Sequence, residues 1–278
     1  MTMPKIPLVA VLGSPIAHSK SPLLHGFWLD RLGMKGYYIP VDVTPADLEE
    51  VLRNMPKMGF VGANITLPHK ERVLSLADRI SDRASKIGAA NTLSFEEGGK
   101  IYADNTDGIG FMENIRQNAS NWIPQKGPAM LLGAGGASRA VVMSLLENDV
   151  PEIWITNRTK LRAEQFVTDF GARLKVIDWA HADQVLGDVT ILINCTSLGM
   201  SGNPPLNIIL DKLNRKTLVT DLVYNPLETP FLRAARDKGC DTIDGLGMLI
   251  HQAVAGFERW FGVKPEVDQE IRDVLLKK

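Results

Sequence analysis

The sequence predicts an α/β protein built from two domains, each formed around a mostly parallel sheet. Short apolar strands and helical segments alternate along the 278 residues, which is the pattern of βα units. A glycine-rich turn at 133–136 follows a strand and opens a helix, as in a Rossmann-like domain. We therefore expect one domain at 1–107, completed by helices at about 246–278, a Rossmann-like domain at 108–245, and an active site in the cleft between them.

The first domain is predicted from apolar runs separated by turn and cap residues. Strands are expected at 8–12, 37–43 and 60–66, and helices are expected to begin at Ser21, after 44–47 and at Pro68. Ser21 is interpreted as a helix cap because Pro22 suits the first helical position. A hairpin is expected to pair 91–96 with 100–103, before a helix that starts after 105–108.

The second domain continues the alternation of strands and helices. Its strands are expected near 129–132, 152–156, 174–177, 189–194, 217–223 and 240–243. A helix is expected at 138–148, and a longer one at 245–261 follows the last strand. The order of these elements predicts a parallel sheet with helices on its faces.

The glycine-rich turn is interpreted as a dinucleotide-binding loop. Its residues are Gly133, Ala134, Gly135, Gly136 and Ala137. The glycines permit a tight turn, and the helix that follows offers free backbone N–H groups at its N-terminus. Such groups bind the pyrophosphate of a dinucleotide.

A second segment predicts which dinucleotide is bound. Asn157 stands 24 residues after Gly133, near the position where an NAD-binding domain has an acidic residue for the ribose. This chain instead has Asn157, Arg158 and Thr159 there, followed by Arg162. Guanidinium and hydroxyl groups bind a 2′-phosphate, which a carboxylate would repel. The sequence therefore predicts NADP as the cofactor.

Composition excludes several classes of partner. The net charge is −1 and no basic run stands out, so we expect no nucleic-acid partner. No apolar stretch approaches the roughly 18 residues of a membrane span, and no secretory leader is apparent. The two cysteines and five histidines show neither disulfide nor metal-site spacing. We expect a cytoplasmic protein without a metal, acting on a small molecule as a monomer or homodimer.

Polar side chains collect where the predicted strands of the first domain end. They are Ser19, Ser21, Asn64, Thr66, Lys70, Asn91 and Asp107. Ligands of open α/β sheets bind at the carboxyl ends of the strands. Amides and hydroxyls bind alcohols, and serines at a helix start bind a carboxylate, so the set suits a small polyhydroxylated anion.

Ordinary structural roles are the alternative interpretation of these residues. Asp107 suits a cap or turn before Gly108, and Lys70 suits a solvated surface. Lys70 is nevertheless expected in the first helical turn after Pro68, where the helix dipole disfavours a cation, and this favours a functional role. Tyr224 suits a half-buried core position. Surface or capping roles are expected for His18, His25 and His69.

Taken together, these motifs resemble those of the shikimate dehydrogenase family. The substrate-side segments are GSPIAHSKSP at 13–22, GANITLPHKE at 62–71, GAANT at 88–92 and NTDG at 105–108. The cofactor-side segments are GAGGAS at 133–138, NRTKLR at 157–162, DLVYNP at 221–226 and GLGML at 245–249. No single match is specific, but the ordered set is.

The resemblance implies an enzyme that reversibly reduces 3-dehydroshikimate to shikimate with NADPH, a step of aromatic amino-acid biosynthesis. It implies that Lys70 and Asp107 form an acid–base pair. Substrate binding is implied for Ser19, Ser21, Asn64, Thr66, Asn91, Tyr224 and Gln252. Cofactor binding is implied for Gly245 and Met248, besides the glycine-rich turn and the 157–162 segment.

Two other functions remain open at this point. A quinate/shikimate dehydrogenase of broader substrate and NAD/NADP range is one; such relatives often show a threonine in the first loop or an acidic residue after the second nucleotide-domain strand. This chain has Ser21 and Asn157 at those places. The other is a catalytically silent NADP-binding sensor, which would lack Lys70 or Asp107, and both are present.

Overall fold

A computed structural model describes residues 6–277 and divides the chain into two compact units. The first unit takes the chain up to Gly110 and again from Leu249 onwards, and the second unit is Phe111–Met248. Each unit contains one six-stranded sheet. Within residues 6–277, every helix is too short or too polar to span a bilayer.

The first unit begins with alternating strands and helices. Its strands are β1 (Leu8–Gly13), β2 (Tyr37–Asp42), β3 (Phe60–Ile65), β4 (Arg79–Ile80), β5 (Thr92–Phe95) and β6 (Ile101–Asp104). Its α-helices are α1 (Ser21–Arg31), α2 (Leu48–Asn54) and α3 (Asp82–Ile87), and short 3₁₀ helices cover Met55–Met58, Arg72–Leu76 and Glu97–Gly99. Helix α4 (Asp107–Asn118) then leads into the second unit.

The sheet of the first unit is mixed. Its strand order is β2-β1-β3-β5-β6-β4, with β1 parallel to both β2 and β3. The predicted hairpin is present as β5 and β6, which pair antiparallel, and β5 also pairs antiparallel with β3. The ends of β1 and β3 therefore lie side by side, as the polar pattern of the sequence requires.

The second unit has the doubly wound form predicted from the glycine-rich turn. Its strands are β7 (Ala129–Leu132), β8 (Ile153–Thr156), β9 (Leu174–Val176), β10 (Ile191–Asn194), β11 (Leu218–Asp221) and β12 (Thr242–Ile243). Its helices are α5 (Gly136–Glu147), α6 (Lys160–Phe170) and α7 (Pro230–Asp237), with 3₁₀ helices at Pro124–Lys126 and Trp179–Val185. All strands are parallel, in the order β12-β11-β10-β7-β8-β9.

The chain ends in the first unit. Helix α8 (Leu246–Phe261) starts in the second unit and continues into the first, and α9 (Gln269–Leu276) follows it. Helix α9 packs on α1, and Asp268, its N-terminal cap, accepts a 2.6 Å hydrogen bond from Arg31. The Trp28 indole also donates to the Glu266 carbonyl, so the last helix is tied to the first.

An aromatic cluster fills the space under α1 and β2. The His25 ring stacks on Tyr38 with 4.0 Å between ring centroids, and Trp28, Phe257 and Trp260 surround it. His25 is fully buried, and neither ring nitrogen has a hydrogen-bond partner. The prediction that His25 lies at the surface or at a cap is wrong, because its flat ring completes this apolar packing. Burial lowers the pKa of His25 to about 3.

This burial predicts a loss of stability in acid. Below the unfolded-state pKa of 6.5, the unfolded chain binds a proton at His25 that the folded chain does not bind until about pH 3. The free energy of unfolding should therefore fall by about 1.4 kcal/mol per pH unit across this window from His25 alone. His25→Phe keeps a flat ring but cannot bind this proton. Between pH 7 and pH 5, its free energy of unfolding, measured with urea, should fall by about 2 kcal/mol less than that of wild type. His181→Phe, at an exposed histidine, is the matched control; equal acid losses in His25→Phe and wild type would contradict the assignment.

Candidate active site

An ion pair is the centre of the polar cluster in the first unit. Lys70 Nζ lies 2.6 Å from Asp107 Oδ2, and the two side chains are 12% and 6% exposed. The other carboxylate oxygen, Oδ1, accepts a 2.8 Å hydrogen bond from Asn91 Nδ2. Because both oxygens are engaged and largely shielded from water, the ammonium and the carboxylate are held in one geometry. The pair can hold a proton beside a reacting oxygen and exchange it.

The helix predicted from Pro68 does not form, so the helix-dipole argument for Lys70 was wrong. Lys70 lies in a turn between β3 and the 3₁₀ helix Arg72–Leu76. Its carbonyl accepts a 2.8 Å hydrogen bond from the Ala90 N–H, so it is engaged by a distant segment instead of a helical turn. This tertiary bond places the main chain of Lys70 next to the segment that carries Asn91.

The Asn91 side chain joins several of the predicted residues. Its Oδ1 accepts the backbone N–H of Thr106 at 2.9 Å, which fixes the orientation of the amide because a main-chain N–H can only donate. Its Nδ2 therefore faces Asp107 Oδ1 and Gln252 Oε1, the latter at 3.0 Å. Gln252, on α8, donates in turn to the Leu249 carbonyl. Asn91, Asp107 and Gln252 form one buried network.

Asn105 holds the main chain of Asp107. Its Oδ1 accepts the backbone N–H of Asp107 at 3.0 Å, and its Nδ2 donates to the Ala89 carbonyl at 2.8 Å. Asn105 is fully buried. The NTDG motif of the sequence thus contains a residue that holds Asp107 in place without being among the predicted site residues.

Asn64, in β3, is joined to the network through the main chain. Its Nδ2 donates to the Asn91 carbonyl at 2.9 Å, and its Oδ1 accepts a 2.6 Å hydrogen bond from the Tyr38 hydroxyl. Sequence reasoning did not select Tyr38. The sequence offered no clear signal, because Tyr37, Tyr38 and Ile39 are all large side chains, and only the structure shows that Tyr38 is buried between two exposed neighbours.

The serine pair lies at the start of α1. Ser21 is buried and is the first helical residue, whereas Lys20 occupies the cap position without a side-chain cap bond. The interpretation of Ser21 as the cap is therefore wrong; its own N–H is the donor, to Ser19 Oγ at 3.3 Å. Thr66 follows β3 directly, and its backbone N–H donates to the Leu12 carbonyl at 2.9 Å. The second contact places Thr66 at the ends of the adjacent strands β1 and β3, and the serines lie in the segment that leads from β1 into α1.

The histidine of the lysine segment is also not at the surface. His69 is 1% exposed, and its Nε2 lies 2.7 Å from the Val43 carbonyl oxygen. The expectation of a surface or capping role fails because the turn after β3 directs this ring inward. His18, by contrast, is exposed, as expected.

The glycine-rich turn has the geometry expected of a loop that binds a pyrophosphate. Gly133 has φ +106°, and its N–H donates to the Thr156 carbonyl at 2.8 Å. A Cβ added there would lie 2.6 Å from Thr196 Cγ2, so only glycine fits. Gly135 is the cap of α5, and its N–H donates to Ser138 Oγ. The first turn of α5 therefore opens at this loop and offers N–H groups that have no intrahelical partner.

The segment after β8 is attached to that loop. Asn157 Oδ1 accepts the Ala134 N–H at 3.1 Å, and Asn157 Nδ2 donates to the Thr159 carbonyl at 2.9 Å. Arg158, Thr159 and Arg162 are exposed. Within residues 6–277, neither arginine forms an ion pair, whereas Arg139 pairs with Asp169 at 2.8 Å. Two unpaired guanidiniums beside a helix N-terminus suit a dianionic phosphate.

The loops after β10 and β11 are organised by a buried carboxylate. Asp221 accepts hydrogen bonds from Asn194 Nδ2 at 2.9 Å, Thr229 Oγ1 at 2.7 Å and the Val223 N–H at 3.0 Å. Burial raises the pKa of Asp221 to about 6, against the effect of these donors. Tyr224 follows in this segment and is half-buried.

The two remaining residues that were predicted to bind the cofactor, Gly245 and Met248, lie at the start of α8. A Cβ on Gly245 would lie 2.3 Å from the Leu222 carbonyl oxygen, so the backbone of this turn packs directly against the segment after β11. Met248 is 8% exposed and contacts the apolar core of the second unit. Their roles toward a cofactor stay predictions.

Comparison with known proteins shows the family to which the chain belongs. The shikimate dehydrogenase substrate binding domain matches residues 11–93, the shikimate / quinate 5-dehydrogenase model matches 117–204, and the shikimate 5′-dehydrogenase C-terminal domain matches 245–275. A protein of Cereibacter sphaeroides named shikimate dehydrogenase (NADP(+)) is 59% identical over 272 residues, which are 98% of each chain. The chain belongs to the shikimate dehydrogenase family.

Solved structures of shikimate dehydrogenases share the fold. Shikimate 5-dehydrogenase of Thermus thermophilus, in complex with NADP(H) and shikimate, superposes with a TM-score of 0.86 at 36% identity, covering 97% of this chain and 98% of that one. Quinate dehydrogenase of Corynebacterium glutamicum, in complex with NAD, gives 0.89 at 30% identity, with 98% and 99% covered. The predicted α/β fold with two domains is confirmed.

The glycine-rich turn carries a prediction about stability. Gly133→Ala should lower the free energy of unfolding by roughly 1–3 kcal/mol, because alanine at this positive φ is strained and its Cβ meets Thr196. Gly135→Ala is the matched control in the same turn, since its φ is −114° and its added Cβ meets nothing within 4 Å. Urea unfolding of both variants is the measurement. Equal losses in the two variants would mean that the turn as a whole, not Gly133, is sensitive.

Proposed function

We propose that this protein catalyses the reversible reduction of 3-dehydroshikimate to shikimate, with NADPH as the hydride donor. The observation that carries the proposal is the shielded Lys70–Asp107 pair, with Asn91 bonded to the same carboxylate. It stands in a chain that is 59% identical to a protein named shikimate dehydrogenase (NADP(+)). Such a step belongs to the biosynthesis of aromatic amino acids.

The chemistry assigned to the pair is proton transfer. Reduction adds a hydride to the carbonyl carbon, and the oxygen, which gains negative charge, takes a proton from the Lys70 ammonium. Oxidation of shikimate is the reverse: the hydroxyl proton passes to neutral Lys70 as the hydride leaves. Asp107 holds the Nζ of Lys70 in place from 2.6 Å.

The remaining polar residues of the first unit bind the substrate in this proposal. The carboxylate is assigned to Ser19 and Ser21, with Tyr224, and the ring hydroxyls are assigned to Asn64, Thr66, Asn91, Asp107 and Gln252. The support is that Asn64, Asn91, Asp107 and Gln252 are joined by hydrogen bonds in the structure. Amides and hydroxyls held in this way bind alcohol groups with defined direction.

The second unit fits NADP. When bound, the nicotinamide supplies the hydride. The pyrophosphate is assigned to the loop of Gly133, Ala134, Gly135, Gly136 and Ala137, where α5 begins. The 2′-phosphate is assigned to Arg158, Thr159 and Arg162, with Asn157 fixing the segment to the loop. Gly245 and Met248 are assigned to the nicotinamide end.

The residues of this chain disfavour the two alternative functions. A silent sensor would not need a paired lysine and carboxylate, and this chain keeps both at 2.6 Å. A broad quinate/shikimate dehydrogenase is disfavoured by Asn157 and Arg158, which leave no carboxylate to bind an unphosphorylated ribose. We also propose that the enzyme acts in the cytoplasm on small molecules, as a monomer or homodimer, in line with its net charge of −1 and its two cysteines.

The proposal predicts an activity pattern. NADP⁺ reduction, followed by the absorbance of the reduced nicotinamide, should be rapid with shikimate. With NAD⁺, kcat/KM should be at least about tenfold lower, because the missing 2′-phosphate loses a polar contact worth about 1.4 kcal/mol. With quinate, kcat/KM should also be at least about tenfold lower, because its extra hydroxyl must leave water for a site that is not built to bind it. Comparable rates with quinate and NAD⁺ would support the broader dehydrogenase. No shikimate oxidation, with NADP⁺ still bound, would support the sensor.

Removing the ammonium should stop the chemistry. Lys70→Met should cut turnover by roughly 10²–10⁴-fold, the usual effect of a lost general acid or base. The affinity for NADPH should stay nearly unchanged, because the phosphate-binding residues belong to the second unit. Lys86→Met, at an exposed lysine that lies in the first unit like Lys70, is the control. Retention of more than half of the wild-type turnover at saturating substrate would overturn the acid–base assignment.

Removing an arginine should change cofactor choice. A charge-assisted bond to the 2′-phosphate is worth about 1.5–3 kcal/mol, so Arg158→Ala should raise the KM for NADPH more than about tenfold. Use of NADH should change little, since NADH has no 2′-phosphate. Arg215→Ala, at an exposed arginine elsewhere in the second unit, is the matched control. Equal losses with both cofactors would give Arg158 a structural role instead.

A further inference from the structure

Tyr38 is a buried tyrosine whose hydroxyl lies among substrate-site residues. It is 7% exposed, and in β2 it pairs with Val9 of β1. Its ring stacks on His25 with an interplanar angle of 5°, which leaves the ring little freedom to tilt. The ring is thus fixed by packing, and its hydroxyl reaches Asn64 Oδ1 at 2.6 Å.

The direction of this hydrogen bond follows from the surroundings of Asn64. The Nδ2 group of Asn64 donates to the Asn91 carbonyl at 2.9 Å and to Thr92 Oγ1 at 3.3 Å. The Asn91 carbonyl can only accept, so the amide cannot be turned over. Asn64 Oδ1 therefore faces Tyr38, and because an amide oxygen only accepts, Tyr38 donates its single hydroxyl hydrogen.

We propose that Tyr38 is a positioning residue for substrate binding, which holds the Asn64 amide oxygen in place as an acceptor for a substrate hydroxyl. Both Asn64 amide hydrogens are already used, so the remaining lone pair of Oδ1 is what Asn64 offers a ligand. Tyr38 fixes this oxygen from one side, and the substrate hydroxyl donates to it from the other. The inference rests on the proposed function, because it takes the ligand to be a polyhydroxylated acid.

The role makes a distinctive kinetic prediction. Tyr38→Phe keeps the ring and its stacking on His25 but removes the hydroxyl, so Asn64 Oδ1 loses its donor. A substrate contact made equally in ground state and transition state affects KM more than kcat. Tyr38→Phe should therefore raise the KM for shikimate about tenfold, with kcat and the KM for NADP⁺ within about twofold of wild type.

The adjacent tyrosine offers a matched control. Tyr37 stands next to Tyr38 in the same strand but is 60% exposed. Tyr37→Phe should leave all three constants within about twofold of wild type. Thermal unfolding of both variants shows whether Tyr38→Phe is folded at the assay temperature. If Tyr38 had only a structural role, Tyr38→Phe would lower the unfolding temperature but would not raise the KM for shikimate while leaving kcat unchanged.

A double-mutant cycle tests whether Tyr38 acts through Asn64. In an Asn64→Ala background, Tyr38→Phe should change the KM for shikimate by less than about threefold, because the oxygen that it positions is gone. If Asn64→Ala does not fold, shikimate analogues that each lack one ring hydroxyl replace it, with affinity measured by calorimetry. For one of these analogues, Tyr38→Phe should bind as tightly as wild type.

The outcomes separate this inference from the proposed function. If the wild-type enzyme does not oxidise shikimate with NADP⁺, the proposed function fails, whatever Tyr38→Phe does. If the wild type is active, three results overturn the inference alone. The first is an unchanged KM for shikimate in Tyr38→Phe, and the second is an equal rise in the KM for NADP⁺. The third is that the effects of Tyr38→Phe and Asn64→Ala are fully additive and that Tyr38→Phe weakens the binding of every deoxy analogue as much as that of shikimate.

Discussion

The orientation of one buried amide determines the arrangement of the substrate-side cluster. Because the Thr106 N–H can only donate, Asn91 must present its oxygen there and its NH₂ group to Asp107 and Gln252. The carboxylate of Asp107 then accepts from Asn91 at Oδ1 and faces the Lys70 ammonium at Oδ2. Turning the Asn91 amide over would oppose acceptor to acceptor and donor to donor at each of these contacts. A fully satisfied polar network of this kind specifies one arrangement, since any partial version leaves buried groups unpaired.

A second buried carboxylate anchors the segment that carries the site. Asp104 accepts hydrogen bonds from Ser81 and Arg83, at 2.7 Å each, and from the Asn105 N–H, and Arg259 approaches it at 3.3 Å. Burial works to raise the pKa of Asp104, but these donors hold it below the usual value. The anion is stabilised where it stands, directly before the residues that position Asp107. The end of β6 is therefore fixed by electrostatics as well as by the sheet.

The sequence was sufficient for the longer strands, the hairpin and the glycine-rich turn, because each depends on local periodicity or on glycine geometry. It did not predict the two-residue edge strand β4, which is too short to show a period. It failed where distant segments decide the local structure. The turn at Lys70 forms because the Ala90 N–H donates a hydrogen bond to the Lys70 carbonyl, and no pattern within 66–72 reveals that bond. His25 was misplaced because a polar residue type forms part of an aromatic core. Tyr38 was missed because its importance lies in a hydrogen bond to a residue 26 positions away.

The two halves of the candidate site differ in how they respond to dissolved salt. The ion pair at Lys70 is largely withdrawn from solvent, whereas Arg158 and Arg162 are exposed and have no carboxylate partner among residues 6–277. At physiological ionic strength, charges in water are screened over about 8 Å, while shielded charges are screened much less. Capture of a phosphorylated cofactor should therefore weaken as ionic strength rises, and the internal charge pair should not. On the proposed assignment of the 2′-phosphate to the arginine segment, salt should lower cofactor retention without changing the internal charge pair.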